Sequence, residues 1–168
     1  MLSLPRQMRR QLERRFDNAK RKGRIVKVAY SPGILSPVGQ PVSIPDPDVK
    51  VQRTRQEAAL AQGKATYAIP TIEADFADMA LHFCNNIPWE RDAAGKTVWK
   101  PTIEDTGNAY AVIKAFRKVK GTDIGFVEIE DQVYRWFMDK LKGTEGFACY
   151  GMIREVLVEK MENIIKEA

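Results

Sequence analysis

The chain has a single histidine and two cysteines in 168 residues. A disulfide framework or a tetrahedral zinc site needs more thiols or imidazoles than His82, Cys84 and Cys149 supply. Both cysteines lie among apolar neighbours and read as small core residues in a reducing compartment. Long apolar runs are missing too, so no stretch approaches the roughly 18 residues of a membrane span. Charge begins at Arg6, before the apolar region of a secretory signal could form. An arginine-rich amphipathic start also has the form of an organelle transit peptide, against which Glu13, Asp17 and the scarcity of serine there count.

Catalytic signatures are equally scarce. Gly-x-Ser-x-Gly, HExxH and paired CxxC do not occur. DAAGKT, 92–97, ends like a phosphate-binding loop, but that loop needs glycine where the chain has Glu90 and an apolar strand where it has Ile87, Pro88 and Trp89. His82 and Cys84, two apart on a helix, point to different sides and make a poor nucleophilic pair. Two acidic groups, Glu73, Asp75 and Asp78, and Glu128, Glu130 and Asp131, have the composition to hold a hard divalent cation for hydrolysis. Their spacing suits helix starts and the outward positions of an alternating strand better. The expectation is no catalytic residue, no cofactor and no metal site, with a small metal-dependent hydrolase as the remote alternative.

What the chain does have is an uneven charge. Residues 6–24, RQMRRQLERRFDNAKRKGR, hold nine cations, Arg6, Arg9, Arg10, Arg14, Arg15, Lys20, Arg21, Lys22 and Arg24, against Glu13 and Asp17, a local net of +7. The whole chain is +5, which leaves −2 elsewhere. Leu4, Met8, Leu12 and Phe16 recur every four residues, one stripe along a basic amphipathic helix, with Ser3 as its cap and Pro5 in its first turn. The cations suit nucleic acid or an acidic partner; the stripe suits docking on a protein surface.

IVKVAY, 25–30, alternates like a short strand. The stretch after it holds Pro32, Pro37, Pro41, Pro45 and Pro47, which forbid a helix and a central strand. Ile34, Leu35, Val38, Val42 and Ile44 are too apolar for a solvated linker, so this reads as an extended arm lying on its own domain or a neighbour's. A short helix is expected within 52–63, ending at Gly63. PTIE occurs at 70–73 and again at 101–104, and both copies read as helix starts, with threonine as cap and acids in the first turn. Ile72, Phe76, Met79 and Phe83 then share one helical face, and Tyr110, Ile113 and Phe116 another. A hairpin flanked by Trp89 and Trp99 lies between. Later helices carry Val133, Trp136, Phe137 and Leu141, then Ile153, Val156, Leu157, Ile164 and Ile165, as inner faces. Tyr67, Trp89, Trp99, Tyr110, Tyr134 and Trp136 beside Lys96, Lys100, Lys114, Lys118 and Lys120 have the composition of a base-stacking surface, though most of these aromatics fall on apolar faces.

The fold class expected is mainly α: a compact bundle of about four helices with a small Trp-flanked hairpin, over residues 52–168, preceded by a basic helix over 1–24 and a Pro-rich arm over 25–51. FVEIEDQVYRWFMDKLKG, 126–143, resembles the C-terminal part of small helical proteins of tailed bacteriophages. The resemblance implies a virion or assembly-accessory role and no catalytic residues. The function expected is therefore a non-enzymatic assembly subunit, cytoplasmic or virion-associated, with organelle import left open. Its partners would be other protein subunits in a homo- or hetero-oligomer. Leu4, Met8, Leu12, Phe16, Ile34, Leu35 and Val38 would form the protein interface, and the nine cations would meet an acidic partner. The alternative is a nucleic-acid-binding regulator in which those cations contact the phosphates of DNA or RNA.

Overall fold

The computed structural model describes residues 4–31, 33, 43–45, 57–63, 71–85, 90–91, 97–99, 102–142 and 151–166. In chain order these form α1 (Arg6–Arg21), β1 (Ile25–Ala29), β2 (Ser43–Pro45), a helical turn at 57–61, β3 (Thr71–Glu73), α2 (Phe76–Asn85), β4 (Glu90–Arg91), β5 (Thr97–Trp99), α3 (Ile103–Val119), β6 (Phe126–Glu130), α4 (Asp131–Lys142) and α5 (Gly151–Glu162). The fold is mainly helical, with three small antiparallel strand pairs among the described residues. One of them, β4 with β5, is the expected hairpin, with Trp99 opposite Glu90. Gly63, in left-handed conformation at φ +71°, ends the 57–61 turn as the sequence suggests.

Helix α3 is the centre, packed against α2, α4 and β6. Val112, Ile113, Phe116 and Val119 carry its buried face. Phe116 meets Phe76 of α2 edge-on at 5.0 Å between centroids, and Phe83 of α2 meets Phe137 of α4 at 5.4 Å. Leu157 and Met161 close the core from α5. Trp136, expected at the centre, is only half-buried and donates its indole N–H to Asp105 at 2.9 Å; Phe137, one residue on, takes the central position. Tyr110 likewise turns out of the core face.

Strand β1, grouped with the arm in the sequence, pairs with β6 in the register Ile25 to Glu130 through Ala29 to Phe126, and Val28 is fully buried. Strand β1 is thus paired into the domain and sends Val28 into its core. The chain enters β1 from α1 through a tight reversal. Gly23, at φ +67°, follows the helix, its N–H bonds Lys20 O, and Arg24 N–H bonds Ala19 O, which satisfies the last carbonyls. The other edge of β1 is covered by the C-terminal tail: Ala29 N–H donates to Asn163 O and Ile165 N–H to Lys27 O, both at 2.8 Å. Ile164 and Ile165, expected on the inner face of the last helix, therefore lie beyond its end and are 40% exposed.

The two PTIE segments differ. At 102–105 Thr102 Oγ1 accepts from Asp105 N–H at 3.1 Å while Asp105 Oδ2 accepts from Thr102 N–H at 2.8 Å, a complete capping box that starts α3. At 71–73 the same residues form β3, with Ile72 opposite Ile44 of β2. The position three after the threonine decides: it is Asp105 in one copy and Ala74, which cannot return the hydrogen bond, in the other. Helix α2 starts later, at Phe76, just after Asp75, which exchanges hydrogen bonds with Asp78.

Thr102→Ala is expected to cost about 1 kcal/mol of stability in urea unfolding, while Thr71→Ala, exposed in a strand, should stay within about 0.5 kcal/mol. Equal losses would contradict the assignment of only one copy as a cap.

Candidate polyanion-binding face and the cleft beneath it

Helix α1 has no acid in its first turn, and Pro5 occupies its cap position without a side-chain hydrogen bond. Ser3, the expected cap, lies outside the described residues. The helix is held instead by the side that faces the domain. Leu4 and Ala19 are buried, and Met8, Leu12 and Phe16 are half-buried. Leu12 lies against Gly107 of α3, where an added Cβ would sit 3.9 Å from Leu12 Cδ2, an ordinary contact. The apolar stripe thus docks on the chain's own domain. Of the other interface candidates, Ile34, Leu35 and Val38 lie outside the described residues; Ile44 of the same arm is buried through the β2–β3 pairing.

Charge completes the docking. Arg15 Nε bonds Glu130 at 2.8 Å and its Nη2 bonds Gln132 at 2.6 Å, while Lys20 reaches Glu128 at 3.4 Å. On the other flank Lys114 of α3 bonds Glu13 at 2.7 Å, and that ammonium holds the Glu13 carboxyl below its ordinary range. Lys118 stands over the Phe16 ring, 5.1 Å from its centroid. Glu128 and Glu130 alternate with buried Val127 and Ile129, as the sequence indicates, and their outward rows meet α1. An acidic partner of the basic helix is therefore β6 of the same chain. Local patterning carries no sign of that, because the paired residues are more than a hundred positions apart.

Two of the nine cations are used in this way. Arg6, Arg9, Arg10, Arg14, Arg21, Lys22 and Arg24 are exposed and form no ion pair among the described residues. At 100° per residue Arg10, Arg14 and Arg21 fall on one ridge, opposite Leu12 and Phe16, with Arg6 beside it; Arg6 to Arg21 spans about 22 Å. Arg14, Arg15, Lys22 and Arg24 also border a shallow hollow of about 420 Å³ against the start of α4, with Glu130 and Asp131 on its far wall.

Beneath α1 a larger cleft, about 720 Å³, opens between it, α3 and β6. Its roof is Leu12 and Phe16, and its floor includes Ala111, Ala115, Val119, Ile129 and Val133. Tyr110 faces it rather than the core.

The other candidates fall elsewhere. Asp131 pairs with Arg135 at 3.1 Å. Among the described residues no three His, Cys, Asp or Glu side chains gather as metal ligands would. Cys84 is fully buried, which pushes its thiol far up, and burial pulls the half-buried His82 down. Cys149, Tyr67, Trp89, Lys96 and Lys100 lie outside the described residues. Tyr134 donates to Met161 O at 2.9 Å and Lys120 pairs with Asp78. The Tyr30 hydroxyl is buried without a hydrogen-bond partner among the described residues, and burial with the nearby Asp75 and Asp78 charges pushes it to about 12.

Comparison of the chain with protein-family models, with curated proteins and with solved structures gave no match.

Phe16→Asp should release α1: hydrogen exchange across 6–21 is expected to rise while α3 and β6 keep their protection. Exchange unchanged in α1 would mean that Phe16 does not hold it. A second expectation concerns Asp75, whose carboxyl burial raises above its ordinary range. An acid with a raised folded-state value disfavours the fold once ionised, a cost absent at pH below its unfolded value and complete above its folded one. Asp75→Asn keeps the cap oxygen, so it should be more stable than the native chain at neutral pH, with the gap closing as acid protonates Asp75. A gap independent of pH in urea titrations would contradict this.

Proposed function

We propose that the chain is a non-enzymatic binding protein that takes a polyanion, nucleic acid in the first place, on the solvent face of α1. The observation that carries the reading is the division of labour on that helix. Its apolar stripe faces its own domain, and Arg6, Arg10, Arg14 and Arg21 stand outward and form no ion pair among the described residues. Arg6, Arg10 and Arg14 rise about 6 Å apart along the axis and Arg21 lies about 10 Å further on; such a row of guanidiniums suits phosphates, which position a protein on nucleic acid without reading its sequence. Lys22 and Arg24, past the helix end, extend the same basic surface toward the hollow at α4.

An assembly subunit of a virion or other complex is the second reading. Its support is the apolar character of Ile34, Leu35 and Val38 and the resemblance carried by 126–143. It takes second place because the stripe it would have used to dock already faces α3 and β6 of its own domain.

The test is fluorescence anisotropy of a labelled DNA or RNA duplex over a salt series. Binding should persist near about 0.15 M salt, and neutralising Arg10, Arg14 and Arg21 together (Arg→Gln) should lower the salt slope by about 2 to 3, at about 0.9 per phosphate contact. The melting temperature should not move, since none of the three has an ion-pair partner among the described residues. A slope unchanged in the triple variant, or no binding near physiological salt, would refute the reading.

A further inference from the structure

We infer that the cleft beneath α1 is a binding site for a small amphipathic cation. Its volume, about 720 Å³, lies within the roughly 300–1,000 Å³ of sites that enclose a small organic ligand. The space exists because α3 presents Ala111 and Ala115, four apart on one side, where larger residues would have filled it. It is propped open at both flanks: the Glu13–Lys114 pair and the Arg15–Glu130 and Lys20–Glu128 pairs join α1 to its neighbours at the rim. Between those props the roof and floor are apolar and aromatic, and Asp123, Ile124 and Gly125, all exposed, form a lip through which a ligand can enter.

The sign of the ligand follows from the charges around it. Glu13, Asp17, Asp123, Glu128 and Glu130 line the cleft against Lys114 and Lys118. Lys114 is held by Glu13, Glu128 and Glu130 are held by α1, and Lys118 stands over Phe16. Asp17 and Asp123 are exposed at the rim and have no ion-pair partner among the described residues. An anionic amphipath would set its head group against these two carboxylates, and a neutral one would leave them unused. A cation meets them and the aromatic rings together. Phe16 and Phe126 each already attract a lysine ammonium, Lys118 at 5.1 Å and Lys27 at 5.2 Å from the ring centroid. The cleft therefore prefers the opposite charge from the outer face of the same helix.

Two probes of equal size and opposite charge test this on the full chain: tetraphenylphosphonium and tetraphenylborate, followed by amide chemical shifts and by calorimetry. Tetraphenylphosphonium should shift Leu12, Ala115, Val119 and Ile124, and bind about tenfold tighter than the borate, a difference of about 1.4 kcal/mol. Because the protein is net cationic, attraction by overall charge alone would favour the borate instead. Ala115→Trp, which fills the floor, should abolish binding of the phosphonium. Asp17→Asn with Asp123→Asn, both exposed and so harmless to folding, should remove the preference for the cation. Equal or tighter binding of the borate, no binding of either probe, shifts mapping outside the cleft, or a preference surviving the double substitution would each overturn the assignment.

Discussion

The antiparallel pairing of β1 with β6 is the contact on which the other elements depend. It joins residue 25 to residue 130, brings the N-terminal helix to the domain, and fixes where α4 begins, because α4 follows β6 without a linker. Asp131 N–H donates to Arg24 O at 2.9 Å, so the end of the α1 reversal and the start of α4 are tied at one point. The tail at 163–165 then pairs with the free edge of β1, and a strand that would otherwise leave its edge unpaired is covered on both sides. Two strands alone are marginal in water. Here Val28, Val127 and Ile129 place one face of the pair in the core, where α3 and α5 bury it.

That pairing also determines what the basic helix can do. Because β6 presents Glu128 and Glu130 outward, α1 finds two carboxylates where it crosses the strand, and Arg15 and Lys20 are neutralised locally. Individual pairs of this exposure contribute little to stability. Their consequence is orientation: they turn one flank of the helix inward and leave the opposite ridge of arginines to solvent. One helix thus separates two environments, a cationic outer surface and an apolar cleft with an anionic rim.

The repeated tetrapeptide shows how little local sequence can specify. PTIE carries a threonine, a β-branched residue and an acid, which are compatible with both a cap and a strand. The choice passes to the next residue and to the neighbours in space. Asp105 closes a capping box and is further held by the Trp136 indole, whereas Ala74 offers nothing and the backbone of 71–73 pairs with β2 instead. The half-buried position of Trp136 has the same origin, since its N–H needs an acceptor and Asp105 lies at the rim of the core.

Periodicity by itself determined the helices: the four-residue spacing from Leu4 to Phe16, the apolar faces of α2, α3 and α4, and the alternation in β1 and β6 follow from backbone geometry and the cost of exposing apolar surface. Charge counting along the chain likewise located the basic segment and left a net negative remainder. Only the tertiary structure decided which residues that remainder would meet. The pairing of Arg15 with Glu130, the cover that the 163–165 tail gives β1, and the cleft left by Ala111 and Ala115 all join segments far apart in the chain. Patterns with periods of two or four residues carry no record of such contacts, because they are set by which surfaces the packed core brings together.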